Sequence, residues 1–394
     1  DANLAGPGHA PGLSSFRVIR RPWPGPGAPP TLASMASTLR RSTGTPSPAA
    51  RLLALAALPL LAAQAEARPQ DLLGSDGTSY LRPDDEPPVG VLGAAAAAAG
   101  DLTVTWNWES TERSGVRVGD EEGALTDAVG DPRVATAGVT SARAEEHRFG
   151  VHFELREGLD LDLVLPYRDA RLVAQDPDGG GSLRQRANGL GDLEIGALWT
   201  RPSDDADSLT YGLALGLPTG STDEKDRGAG GDGAQLPYFI QPGNGAWSFT
   251  PRAYVVGKTE EWSWGYGGHY TARVGLGGED WHKGNELELG AWASNRINRD
   301  TSISLRLEGR HADGVSGRDA KIEAVDEASG LTATNFHDAG NTGGTLLRMF
   351  AGLNHVGTRG NRFALEIGVP LHEDVRGVQV STGMTYGLGW RYSF

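Results

Sequence analysis

The chain has 394 residues, with 57 glycines, 10 tryptophans, no cysteine and a formal net charge of -14. Lack of cysteine excludes disulfides, thiol catalysis and Cys-based metal sites. The acidic balance argues against nucleic acid, which needs a basic surface to displace counterions.

Residues 1–34 are Pro/Gly-rich and unpatterned, and read as a non-native, disordered upstream extension. From Met35 the pattern is that of a signal peptide, residues 35–67. Arg40, Arg41 and Arg51 make a basic lead, Leu52 to Ala63 a short apolar run, and Ala63-Gln-Ala65 or Ala65-Glu-Ala67 a small-x-small cleavage site. The apolar run is too short to span a bilayer. Residues 68–100 follow as a Pro/Gly/Ala-rich lead, expected in the periplasm.

From residue 101 to 394 the chain shows about twelve segments of alternating hydrophobicity, a number typical of an even-stranded barrel. They lie near 101–110, 146–156, 159–171, 190–201, 207–218, 245–257, 261–276, 285–297, 301–313, 345–356, 361–371 and 382–394. Phe149, Val151, Phe153 and Leu155 share one face, and Arg148, Gly150, His152 and Glu154 the other. Ile303, Leu305 and Leu307 oppose Ser304, Arg306 and Glu308 in the same way.

A soluble sandwich has the same period, so the connections matter more. Long ones (111–145, 172–189, 219–244, 277–284, 314–344, 372–381) alternate with short ones at Gly158, Ser203–Ala206, Thr259-Glu260, Asn298–Asp300 and Thr358–Gly360. Short periplasmic turns and long extracellular loops are the asymmetry of an outer-membrane barrel. The expected fold is therefore all-β, a closed antiparallel transmembrane β-barrel. That orientation places Trp199, Trp262, Trp264, Trp390 and Tyr392 at the periplasmic rim, and Trp106, Trp108 and Trp247 near the outer rim. Amphipathic rings favour both interfaces.

The last strand, Met384 to Phe394, alternates large apolar and small or polar residues and ends on Trp-x-Tyr-x-Phe. It resembles the closing strand of bacterial outer-membrane barrels, in which a terminal Phe is read by the barrel-assembly machinery. The resemblance makes Phe394 an interface aromatic and the contact for that partner, with outer-membrane lipid as the other surrounding.

Ordered motifs extend the likeness. Asn188-Gly-Leu-Gly-Asp-Leu193, Leu215-Gly-Leu-Pro-Thr-Gly-Ser-Thr-Asp223, Leu236-Pro-Tyr238 and Gln241-Pro-Gly-Asn-Gly245 come first. Trp262-Ser-Trp-Gly265, Arg362-Phe-Ala-Leu-Glu366 with Pro370, and Gly389-Trp-Arg-Tyr-Ser-Phe394 follow. From about 188 to 394 the chain thus resembles a family of outer-membrane barrels labelled as transporters and linked to the meta-pathway of phenol degradation. That resemblance implies passage of small molecules, apolar or aromatic ones included.

The face opposite the large apolar residues gives the expected lumen: Arg148, His152, Glu154, His269, Arg273, Arg306, Glu308, Arg348, Arg362, Glu366 and Arg391. These charges suit either a polar passage with a constriction or a salt-bridged plug, since about eight strands leave a filled interior and 16–18 a channel. No Gly-x-Ser-x-Gly elbow accompanies the scattered histidines, and no His pair has i, i+2 spacing. No catalytic residue, metal or cofactor is therefore assigned. The expected role is passive or gated passage of an unidentified small solute across the bacterial outer membrane. The alternatives are a plugged barrel whose loops bind partners, and an outer-membrane enzyme.

Overall fold

The computed structural model describes residues 82–91, 102–123, 138–175, 182–202, 207–228, 231–275, 280–323, 337–357 and 361–393. The upstream extension, the signal peptide and Phe394 lie outside the described residues.

The extended segments begin with β1 (Leu102–Gly119), β2 (Glu121–Gly123), β3 (Gly138–Arg156), β4 (Leu159–Gln175), β5 (Ser182–Leu190) and β6 (Leu193–Pro202). Next come β7 (Ser208–Leu217), β8 (Lys225–Gly228), β9 (Gly231–Gln235), β10 (Trp247–Lys258), β11 (Trp262–Val274) and β12 (Trp281–His282). The last are β13 (Glu286–Arg296), β14 (Thr301–Ala312), β15 (Ser316–Gly317), β16 (Gly344–Val356) and β17 (Asn361–Ser393). Eleven of them form an antiparallel ring in the order β1-β3-β4-β6-β7-β10-β11-β13-β14-β16-β17, and β17 returns to β1. Closure leaves no sheet edge to be buried in hydrocarbon.

The 33-residue β17 is too long for one crossing, since extended chain of that length would reach roughly 110 Å. Its first arm, Arg362 to Val375, pairs with β16, and its second, Val375 to Ser393, pairs with β1. The chain doubles back near Gly377, where φ is 67° and a side chain would be strained. Across the two arms Trp390 Nε1 donates to Asn361 Oδ1 at 3.1 Å, and the Thr382 amide donates to Glu373 at 2.9 Å. The wall is therefore crossed twelve times by eleven unbroken segments, and the expected segments 361–371 and 382–394 are the two arms of β17.

Burial decides between barrel and soluble sandwich. The outward face exposes Phe149, Leu213, Ile303 and Leu305, the last by 55%. The inward face buries charge: Arg306, Glu308, Arg348 and Glu366 are each at most 4% exposed. A protein in water would invert this pattern, whereas a wall solvated by lipid requires it.

Two expectations need correction. The spans 111–119 and 138–145 are not loops but extensions of β1 and β3, and 182–189 makes up almost all of a further strand, β5, each paired to its neighbours. Where both faces meet water the backbone stays paired while the apolar alternation fades, so the pattern ended early. As a consequence Trp106 does not sit at the rim opposite Trp390. The two are directly opposed across β1 and β17, with Phe149 on the other side of Trp106.

Candidate functional site

The site is the lumen, and its periplasmic end is occupied by residues 82–91 of the same chain. Around the short turns, Arg82 donates to the Thr259 carbonyl at 2.9 Å, Arg362 donates to the Arg82 carbonyl at 3.0 Å, and Ser302 donates to the Pro83 carbonyl at 3.1 Å. Lys258 meets Asp85 at 2.7 Å and Arg391 meets Glu86 at 2.5 Å. Higher up, Val89 covers Gly387 and Gly389, and Val91 packs on Tyr254 and Trp292. The sequence logic is complementary charge: an Asp-Asp-Glu run, 84–86, enters a wall that offers Lys258, Arg362 and Arg391. Burial alone would raise the Glu86 pKa, but the Arg391 and Arg362 charges overcome it and hold it below the ordinary carboxylate value.

At mid-height a four-residue charge network lines the inner face of the neighbouring strands β14, β16 and β17. Arg306 grips Glu366 bidentately, at 3.0 and 3.1 Å, and also bonds Glu308. Arg348 donates to Glu308 at 2.9 Å and to Thr385 at 3.2 Å. The Arg306 guanidinium lies 3.7 Å from the Phe350 ring centroid, a cation–π contact. On its other side it meets the backbone of Gly90, where a Cβ would fall 2.1 Å from a guanidinium nitrogen. A side chain there would push the guanidinium off the carboxylates that hold it.

The outer end is closed differently. Asp192 accepts the Gly220 and Asn244 amides at 2.9 Å each, and Thr219 Oγ accepts the Leu193 amide at 2.9 Å. The motifs at 188–193, 215–223 and 241–245 thus meet around one carboxylate. Gly243 lies against Gly220, a Cβ there falling 2.4 Å from the Gly220 carbonyl. The chain beyond them turns inward, burying Leu236, Tyr238 and Ile240, with Tyr238 edge-on to Trp281 at 4.8 Å. Between the two ends lies a cavity of about 580 Å³.

The expected lumen residues fall into groups. Arg306, Glu308, Arg348 and Glu366 form the network, while Arg362 and Arg391 hold residues 82–91. Arg148 pairs with Glu146 at 2.5 Å, and His152 lies 3.3 Å from Thr105 Oγ. Glu154 stands apart, accepting the Gly158 amide at the β3–β4 turn at 2.9 Å. His269 and Arg273 line the upper cavity.

Of the expected interface aromatics, Trp199 and Trp262 are exposed on the outer surface. Ring pairs Trp390–Tyr392, Trp264–Tyr266 and Trp199–Tyr211 stack at 6.4, 6.1 and 6.0 Å. Trp108 pairs across the sheet with His147 and Leu388, and Trp247 with Val274.

Sequence reasoning missed Glu146, Arg168, Lys283 and the inward aromatics Tyr254, Trp292 and Phe350. The aromatics carry a readable sign: Trp292 and Phe350 lie over the inward glycines Gly265 and Gly368. The acidic run 84–86 was the sign for the internal segment.

The register also brings His269, Glu286 and Glu288 within 4.8 Å of one another. Glu286, however, already meets Arg310 at 2.8 Å and Arg273 at 3.8 Å. Two guanidiniums offset the negative charge that a dication needs.

Among solved structures, the chain resembles an outer membrane channel from Pseudomonas putida F1, with TM-score 0.53 and 13% identity over 76% of this chain and 97% of the other. That likeness shows the fold, a closed antiparallel β-barrel of the outer-membrane type. The translocator domain of autotransporter NalP from Neisseria meningitidis matches at TM-score 0.39, with 11% identity over 77% and 91% of the two chains. A Pseudomonas aeruginosa FadL homologue matches at 0.32, with 10% identity over 75% and 89%. No curated protein matches the chain. The family model described as "Putative MetA-pathway of phenol degradation" matches residues 117–329, more than half of the sequence. The motifs at 188–265 lie within that span and those at 362–394 beyond it, and the chain belongs to this family of outer-membrane barrels.

Proposed function

We propose that the protein is a gated channel of the bacterial outer membrane for small solutes, closed at its periplasmic end by its own residues 82–91. One observation carries this reading: a cavity of about 580 Å³ is lined along its lower part by Pro83 to Val91, a segment held by side chains rather than by strand pairing. Such contacts can be exchanged for water without opening the wall. The export segment at 35–67 and the terminal Phe394 belong to the same reading, as the means of reaching and entering the membrane. Apolar or aromatic solutes are suggested by the family's link with phenol degradation.

Single-channel conductance of the refolded chain in planar bilayers tests this, comparing the native sequence with Gly90→Leu. A leucine there collides with the Arg306 guanidinium and should displace the segment. Rare, small steps in the native chain and larger, persistent ones in the variant are expected. Silence in both would replace the channel with a permanently filled barrel that acts through its loops.

A further inference from the structure

Most charges lining the cavity are paired, Arg168, Arg310 and Arg273 at its outer end among them. Arg252 sits 3.7 Å from Asp162 and 3.9 Å from Glu194. Lys283, between β12 and β13, differs. Its ammonium donates to the Gln241 carbonyl at 2.8 Å, and among the described residues no carboxylate lies within ion-pair distance of it. The next carbonyl, of Pro242, accepts from Arg168 at 2.9 Å, which places the two cations side by side.

Arg273 bonds the Gly284 carbonyl beside Lys283, and its side chain is nine-tenths buried with Nε lacking a hydrogen-bond partner among the described residues. The nearby carboxylates are already committed. Glu146 is shared by Arg148 and Arg168, Glu286 is closer to Arg310 than to Arg273, and both Asp192 oxygens hold backbone amides. An acidic chain thus keeps a cationic corner inside its lumen. Tyr238, Phe239 and Ile240 give the same cavity an apolar wall. Its volume is in the range of small-molecule sites, about 300–1,000 Å³.

We propose that Lys283, Arg168 and Arg273 form a binding site for a small organic monoanion, a carboxylate with an apolar body lying against Phe239 and Ile240. This rests on the channel reading and names the solute class. The carboxylate would take the free donors of Lys283 and the orphan Nε of Arg273, charge-assisted bonds in a poorly hydrated setting. Its ring or alkyl part would leave water.

Binding of benzoate and of the neutral benzyl alcohol to the refolded full chain, followed by calorimetry, tests the site. Benzoate should bind at least about tenfold more tightly, the difference expected for one hydrogen bond to a charged group. Lys283→Met and, separately, Arg273→Met should each remove that preference without changing benzyl alcohol, and Lys283→Arg should retain it. Equal affinity for both probes, or an unchanged preference in both Met variants, overturns the proposal. The channel reading fails separately. A chain that binds benzoate but stays silent with Gly90→Leu keeps the site and loses passage, whereas one that conducts without preferring benzoate loses the site alone.

Discussion

The backbone amide of Gly90 donates to Glu366 Oε2 at 2.8 Å, and the same carboxylate oxygen accepts from Arg306 at 3.1 Å. A wall residue thereby joins the internal segment and the charge network in one junction. Removing one partner of a buried ion pair strands the other without solvent, at a cost of about 3–5 kcal/mol. Glu366→Leu should therefore destabilise the barrel strongly, and the double change with Arg306→Leu much less. Urea unfolding in detergent, read by gel mobility with and without heating, compares them. Equal loss in the single and double variants would show that the pair does not couple.

The Glu86–Arg391 contact should make the docking of residues 82–91 sensitive to acid. The Glu86 pKa is depressed below its ordinary value of 4.5 when docked, with Arg391 and Arg362 opposing burial and Asp85 adding a small counter-effect. A depressed carboxylate contributes fully above its ordinary pKa, and that contribution is lost as pH falls through the docked value. Open events should become more frequent as pH is lowered through the carboxylate range. Glu86→Gln should open more often at neutral pH and respond less to acid.

At the outer end, Asp192 joins three turns. Each charge-assisted bond to an amide contributes about 1.5–3 kcal/mol, and Asp192→Ala removes two of them. The expected result is faster proteolytic cleavage near residues 218–246, with the rest of the barrel still resistant. An unchanged cleavage pattern would show that the buried Tyr238–Trp281 cluster suffices.

The affinity of the anion site should depend on pH through Lys283. Burial, then repulsion from Arg168 and Arg273, pushes the Lys283 pKa well down, with Asp192 and Glu146 opposing more weakly. A bound carboxylate restores the proton, so benzoate affinity should rise as pH falls, by at most about tenfold per unit for one proton. Lys283→Arg should flatten the profile, because guanidinium stays charged throughout.

The outer wall gives a control on orientation. Leu305 faces outward and is 55% exposed. Leu305→Arg should cost about 2–4 kcal/mol near the bilayer midplane, measured by reversible unfolding in lipid vesicles. A cost near zero would move Leu305 to an interface.

What the sequence determined by itself was the wall. Alternation along Phe149 to Leu155, Ile303 to Leu307 and Phe363 to Val369 is a local property of a strand between lipid and lumen, so the barrel and the two faces of these strands were legible residue by residue. Strand ends above the membrane were not, because water on both faces erases the alternation that the lipid imposes. Trp106 was misplaced for that reason. Contacts between segments remote in sequence were decided by the tertiary structure alone. Gly90 meets Glu366 across 276 residues, and Asp192 reaches Asn244 across 52. No local pattern encodes such meetings, because they depend on ring closure bringing distant strands around one lumen. Lys283 shows this most clearly: in the sequence it is one more loop lysine, and only the closed barrel sets it beside Arg168 and Arg273 with no carboxylate of the described residues in ion-pair distance.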